Sequence, residues 1–244
     1  MGSARSLRPV GVAPRRSGIT ATDRYVAAIH ALAFPLGHAC GALGRPFGTA
    51  RLAEVLGVVP VSAREVLLRL ERDGLVERAL RRRWALTAAG LARADDVVRR
   101  QRIVVRFLVE ELAFPVADAY VDGVPLGVSV GARTAERMLE RIGAPDHDPN
   151  GWPIDLERDR AEAPTLVRAA DAPIGTVGAV ARLSRHPRSL VAELHEAGCV
   201  PGRALRVVAG LGGRSAWLLG DGDERRPLPE SLAAGVWLRA VDAR

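Results

Sequence analysis

The residues that could make this chain a catalyst or a metal carrier are few. Five histidines and two cysteines are present, and only two N/S pairs lie close in sequence: His38 with Cys40, and His195 with Cys199 at an i, i+4 spacing. Two donors do not complete a zinc-type site. A His-Glu-x-x-His helix, a glycine-rich phosphate loop and a nucleophile elbow are all missing. No histidine is arranged with a carboxylate or thiol partner, so an enzyme is the least supported reading. Two cysteines make no disulfide framework, which points to a reducing compartment.

What the chain carries in quantity is arginine. Its 35 basic residues are all Arg, set against 28 acids, and they are unevenly placed. Residues 1–90 hold 14 Arg and 6 acids, whereas residues 91–244 hold 21 Arg and 22 acids. The whole positive surplus therefore sits in the first third, where it can neutralise phosphates. Within it stand Arg51, Arg64, Arg69 and Arg72, and the adjacent trio Arg81, Arg82 and Arg83. A guanidinium can bridge guanine O6 and N7 or pair with phosphate oxygens. Glu65, able to accept from a cytosine N4, and Ser62 complete the candidate DNA-binding set.

Residues 61–87 are the element that must position them. Ser62 as N-cap and Glu65 three residues on form a capping box, with Val61 and Val66 as its hydrophobic staple. Val66, Leu67 and Leu70 make one apolar stripe, and Gly74 ends the helix. Two extended runs, 76–79 and 84–87, flank residues 80–83, giving a hairpin with three cations at its tip. Preceded by a helix at 49–56, this reads as a winged helix-turn-helix, which places one helix in the DNA major groove. Arg64 is the first choice for base contact. Arg81, Arg82 and Arg83 suit the minor groove or flanking phosphates.

Around that unit, residues 1–21 read as a flexible basic arm, and 22–87 as the DNA-binding domain, with Thr22 capping its first helix. Residues 88–145 read as a helical dimerisation domain. Thr87 caps a helix of some 25 residues, and Val97, Val104, Phe107 and Leu108 are expected in a homodimer interface. Gly123, Pro125, Gly127 and Gly131 predict a poor helix across 114–132. Residues 146–164 read as a turn-rich linker, and 165–244 as a small β-barrel of five or so short strands. The fold class is thus mainly α with β. No run approaches the ~20 apolar residues of a membrane span, and no secretory apolar core opens the chain, so a cytoplasmic protein without a membrane partner is expected.

The order of parts resembles the diphtheria toxin repressor family of metal-dependent regulators from about Thr22 onward. Leu70-Glu71-Arg72-Asp73-Gly74-Leu75-Val76, then Leu86-Thr87-x-x-Gly90, are similar to that family's winged helix. Pro149-Asn150-Gly151-Trp152-Pro153 is similar to its short Pro-x-Gly-x-Pro turn. Gly175-Thr176-x-Gly178, the run from Glu196 to Gly202, and Leu232-Ala233 are similar to its FeoA-like, SH3-type barrel. The resemblance implies a dimeric repressor that binds a palindromic double-stranded DNA operator when Fe(II) or Mn(II) is loaded.

The same resemblance places the family's ligand positions on Arg24, Gln101, Val105, Val121, Val128 and Ser129, with Pro125 in the same stretch and Pro187 and Leu190 in the barrel. A valine offers no donor to a hard or borderline divalent ion. No cofactor is therefore expected, and Fe(II) or Mn(II) only if other residues replace the missing ligands. The expected function is a DNA-binding regulator that has lost its metal switch. The alternatives are an ordinary Fe(II)/Mn(II)-responsive repressor with ligands in a shifted register, and an interaction module that no longer reads DNA.

Overall fold

The computed structural model describes residues 21–34, 44–210, 213–219 and 225–240. The basic arm and the His38/Cys40 pair lie outside the described residues. Helix α1 (Ala21–Ala33) takes in Thr22, which is therefore a first-turn residue and not its cap. Helix α2 (Thr49–Leu56) ends at Gly57, in the left-handed region at φ 65°.

Helix α3 (Pro60–Arg72) starts two residues before the expected cap. Pro60 occupies its first turn, where a missing N–H costs nothing and φ is already set, and Val59 is the N-cap. Ser62 thus lies inside the helix and forms no capping box with Glu65. Val61 is 68% exposed and staples nothing. The far end follows expectation: Gly74 sits at φ 72°, and the Leu75 amide returns to the Leu70 carbonyl at 2.8 Å.

Strands β1 (Val76–Ala79) and β2 (Arg83–Leu86) pair antiparallel, Val76 opposite Leu86. A single turn of 3-10 helix joins them, with Arg81 at φ 61° and Arg82 at φ 59°. Trp84 anchors the hairpin: its ring is buried with Ile29, Phe47, Leu52, Leu67 and Leu70, and its indole N–H donates to the Thr49 hydroxyl at 3.1 Å.

Thr87 opens helix α4 (Ala88–Leu112) as expected. Its Oγ1 accepts from the Gly90 amide at 3.0 Å and donates to the Gly74 carbonyl at 2.6 Å. A Cβ on Gly90 would lie 1.8 Å from the Leu75 carbonyl oxygen, so the Thr87-x-x-Gly90 spacing ties the end of α3 to the start of α4. Thr87→Ala should cost about 1–2 kcal/mol, the range of a lost N-cap. It should appear as a lower urea midpoint with an unchanged m-value.

The stretch expected to be a poor helix is helix α5 (Val116–Ser129). Its glycines are contact points: a Cβ on Gly123 would come 2.8 Å from Val105 Cγ2, and one on Gly127 2.4 Å from Gln101 Cα. Packing against α4 overrides the weak intrinsic propensity. Helix α6 (Ala132–Arg141) follows, tied to α4 by the Arg99–Glu136 ion pair.

Residues 146–164 are a packed junction and not a loose linker. Asp148, Asn150, Trp152 and Ile154 are buried, and helix α7 (Leu156–Glu162) is capped by Asp155. Asp159 of α7 is fully buried between Arg102 of α4, at 2.7 Å, and Arg182, at 2.5 Å. Arg102 also donates to the Pro153 carbonyl.

Beyond the junction, β3 (Leu166–Arg168), β4 (Val177–Leu183), helix α8 (Arg188–Glu196), β5 (Ala204–Gly210), β6 (Gly213–Leu219), β7 (Arg225–Leu228), helix α9 (Glu230–Ala233) and β8 (Val236–Ala240) complete the chain. The strands form one antiparallel sheet in the order β3-β8-β4-β5-β6-β7. Arg182, on β4, carries the sheet's tie to α4 through Asp159.

Candidate nucleic-acid interface

The buried face of α3 is Ala63, Leu67 and Leu70. With helical periodicity fixed by those three, Arg64, Glu65, Arg69 and Arg72 must face outward, and all four are exposed. Ser62 is half-buried. Arg81, Arg82 and Arg83 are exposed at the hairpin tip, beside Leu80, which is 89% exposed. Arg51 is exposed on α2 and already paired with Glu54 at 2.6 Å. The tip and α3 belong to one unit, so its cations can meet a polyanion together.

One feature escapes the sequence reading. Arg78 donates to both carboxylate oxygens of Glu71, at 3.0 and 3.4 Å, and lies 4.1 Å from the centre of the Trp84 ring. It is a strut between α3 and the hairpin; its only sequence signal is a Glu and an Arg on either side of the Gly74 turn. Val59 and Val61 are exposed at the start of α3. An exposed methyl there suits contact with a thymine C5-methyl.

The expected dimer residues need correction. Val97 packs with Val26 and Ala94, and Val104 and Leu108 with Ala117 and Tyr120, all inside their own chain. Only Phe107 is half-buried. Periodicity identified a buried face, but the same-chain helices α1 and α5 cover it. Leu112, Val121 and Leu126 are the apolar side chains that α4 and α5 leave exposed.

Four of the six positions singled out as ligand sites, Arg24, Gln101, Val128 and Ser129, line one cavity between α1, α4 and α5. Val105 is buried behind Gly123, and Val121 points to solvent. Among the described residues, no three His, Cys, Asp or Glu side chains come together as a metal would need. His195 Nε2 lies 2.8 Å from Asn150 Oδ1, while burial pushes the Cys199 thiol up to about 12. A thiol held that firmly protonated is a poor ligand.

All four described histidines, His30, His147, His186 and His195, are held below 6.5 chiefly by burial. The unfolded chain therefore takes up protons first as pH falls through 6.5, and these groups withdraw stability from there downward. Asp148, raised by burial, acts the other way. Thermal melts of Asp148→Asn taken from pH 7 down to 3.8, the ordinary carboxylate value, should accordingly fall more steeply with pH than those of the parent chain.

Residues 87–156, from the cap of α4 to the start of α7, match the family model described as iron dependent repressor, metal binding and dimerisation domain. The chain is also 28% identical over 204 residues to the iron-dependent repressor IdeR of Mycobacterium leprae, covering 79% of this chain and 88% of that protein. The chain is thus similar in sequence to the iron-dependent repressors. It is likewise 28% identical over 131 residues to the diphtheria toxin repressor of Corynebacterium glutamicum, covering 52% of this chain and 58% of the other. Among solved structures, a manganese-dependent transcriptional repressor in complex with manganese matches at 25% identity and a TM-score of 0.77, over 90% of this chain and all of the other. The IdeR structure from T. acidophilum, at 19% identity and a TM-score of 0.69, shares the fold. The family's named relatives are transcriptional repressors and not enzymes. No described helix of this chain is long and apolar enough to cross a membrane.

Proposed function

We propose that this chain is a DNA-binding transcriptional repressor that acts as a homodimer and holds its operator without Fe(II) or Mn(II). Residues 49–87 serve as a winged helix-turn-helix, with α3 in the major groove and the hairpin on the minor groove or adjacent phosphates. The observation that carries this reading is the joint exposure of Arg64, Arg69 and Arg72 on α3 and of Arg81, Arg82 and Arg83 on the hairpin. Two such units on a symmetric pair fit a palindromic operator, with Leu112, Val121 and Leu126 available for the pairing. The C-terminal sheet acts as an SH3-type barrel.

Metal independence is supported by the side chains at the former ligand positions, which include valines and an arginine. The test is retention of genomic fragments by the purified chain with Fe(II), with Mn(II) and with chelator, beside metal analysis of the same sample. Equal retention is expected in all three. Chelator-sensitive retention would instead establish the ordinary metal-responsive repressor, and no retention at low salt an interaction module. Arg69→Ala should lower the salt slope of binding by about 1, as the loss of one phosphate contact does.

A further inference from the structure

The cavity that gathers Arg24, Gln101, Val128 and Ser129 has a volume of about 760 Å³, within the range of roughly 300–1,000 Å³ typical of small-molecule sites. It opens between α1, α4, α5 and the 185–186 segment just before α8. Arg24, Pro125, Ser129 and His186 are exposed and mark its mouth, whereas His30, Val98, Gln101 and Tyr120 are buried and form its floor. Ala28, Val98, Val124 and Val128 make much of the wall apolar.

The floor's other polar groups are already answered within the chain. His30 Nε2 lies 3.5 Å from Asp95, which Arg160 holds at 2.6 Å. Tyr120 and Arg185 both face the buried Asp148 carboxyl. Burial and then the Asp148 charge hold the Tyr120 phenol well above 10, and burial raises Asp148 against the pull of Arg185. Arg24, at the mouth, donates to the Leu56 carbonyl at 3.1 Å.

Gln101 differs. The residue is 8% exposed, it lines the cavity, and its side-chain amide makes no hydrogen bond among the described residues. Whatever fills the cavity must therefore satisfy it, since a buried polar group left unpaired costs free energy. An amide presents a carbonyl acceptor and two N–H donors side by side, and its complement is a second amide. A charged occupant would find no free counter-ion on this floor, and burying it unpaired is costly.

We infer that this cavity binds an uncharged carboxamide or lactam, its amide paired reciprocally with Gln101 and its apolar body against Val98, Val124 and Val128. Helix α1 forms one wall, and its Tyr25 and Ile29 share a core with Trp84 of the hairpin. An occupant that bridges α1 to α5 thus bears on how the hairpin-bearing unit is held. That coupling to DNA rests on the proposed function; the binding site itself does not.

The test is calorimetry of the full chain, in chelator at neutral pH, with three ligands of one shape: 4-phenylbutanamide, 5-phenyl-2-pentanone and 4-phenylbutyrate. The ketone replaces the amide NH2 by a methyl group, and the acid replaces it by a charged oxygen. The amide should bind about 5-fold more tightly than the ketone, the worth of one buried hydrogen bond, and about 10-fold or more tightly than the acid. Gln101→Leu should bring the amide-to-ketone ratio to about one. This readout compares two ligands on the same variant, so it survives a general loss of stability. Val128→Trp and Ala28→Phe, which fill the chamber from α5 and from α1, should each abolish binding of all three. No binding of the amide, a ketone that binds as well as the amide, or a ratio that persists in Gln101→Leu would each overturn the site. An acid as tight as the amide would also overturn it, by placing the polar head at Arg24 in the mouth. DNA retention measured on the same samples decides the coupling. A change with the amide supports it, and unchanged retention with binding intact overturns it. Absence of retention under every condition sinks the repressor reading alone, since the calorimetry still decides the cavity.

Discussion

Asp159→Ala is expected to lower the stability of the fold by about 3–5 kcal/mol, the range for removing one partner of a buried ion pair. Asp159 is fully buried, and Arg102 and Arg182 are each 2% exposed as side chains. One carboxylate thus serves two guanidiniums that have no water to fall back on. Deleting it leaves Arg102 without a carboxylate and Arg182 with Glu162 at 3.5 Å, in a dry site with the Trp152 ring nearby, 5.6 Å from one and 5.1 Å from the other. The rescue separates charge from packing: Asp159→Ala combined with Arg102→Met and Arg182→Met should recover most of the loss, because apolar side chains of similar volume can replace a buried triad. Urea midpoints of the parent, the single and the triple variant measure this. A single Asp159→Ala variant within 1 kcal/mol of the parent, roughly the size of a surface effect, would show that the three charges are not desolvated as described.

Arg81→Gly/Arg82→Gly is expected to move stability and DNA affinity in opposite directions. Both residues adopt φ near +60°, which costs an L side chain about 1–2 kcal/mol and costs glycine little. Relieving it should raise the thermal midpoint. Removing two cations from the hairpin tip should also lower the salt slope by about 2 and weaken retention at low salt on the order of 10-fold or more. Strained residues that nothing in the interior requires are characteristic of functional positions. A variant both more stable and equally retentive would place the tip outside the DNA interface.

The sequence was most legible where a local rule had no rival. Gly74 ends α3 and Thr87 starts α4, because a left-handed glycine and a hydroxyl cap need only their immediate neighbours. Ser62 failed because Pro60 opens the same helix two residues earlier. Gly123 and Gly127 read as helix breakers until α4 is in place, when each proves to be where a Cβ has no room. The residues around Asp159 read as a linker because its arginine partners lie 57 and 23 residues away in the chain. Hydrophobic periodicity marked the buried face of α4 correctly. It could not say that this chain's own helices, and not a second copy, cover it. The outward cations of α3 were readable because exposure follows from its three buried residues. The cavity was not, since it exists only where four separate segments meet.

The shared carboxylate at the junction also constrains inheritance. A lineage that exchanges Asp159 first must pass through a sequence whose buried cations have lost their shared carboxylate, whereas exchanging either Arg102 or Arg182 first leaves Asp159 paired with the other. Descendants of this chain should therefore lose an arginine of the trio before the carboxylate, and sequences that keep both arginines without Asp159 should be rare among those that still fold.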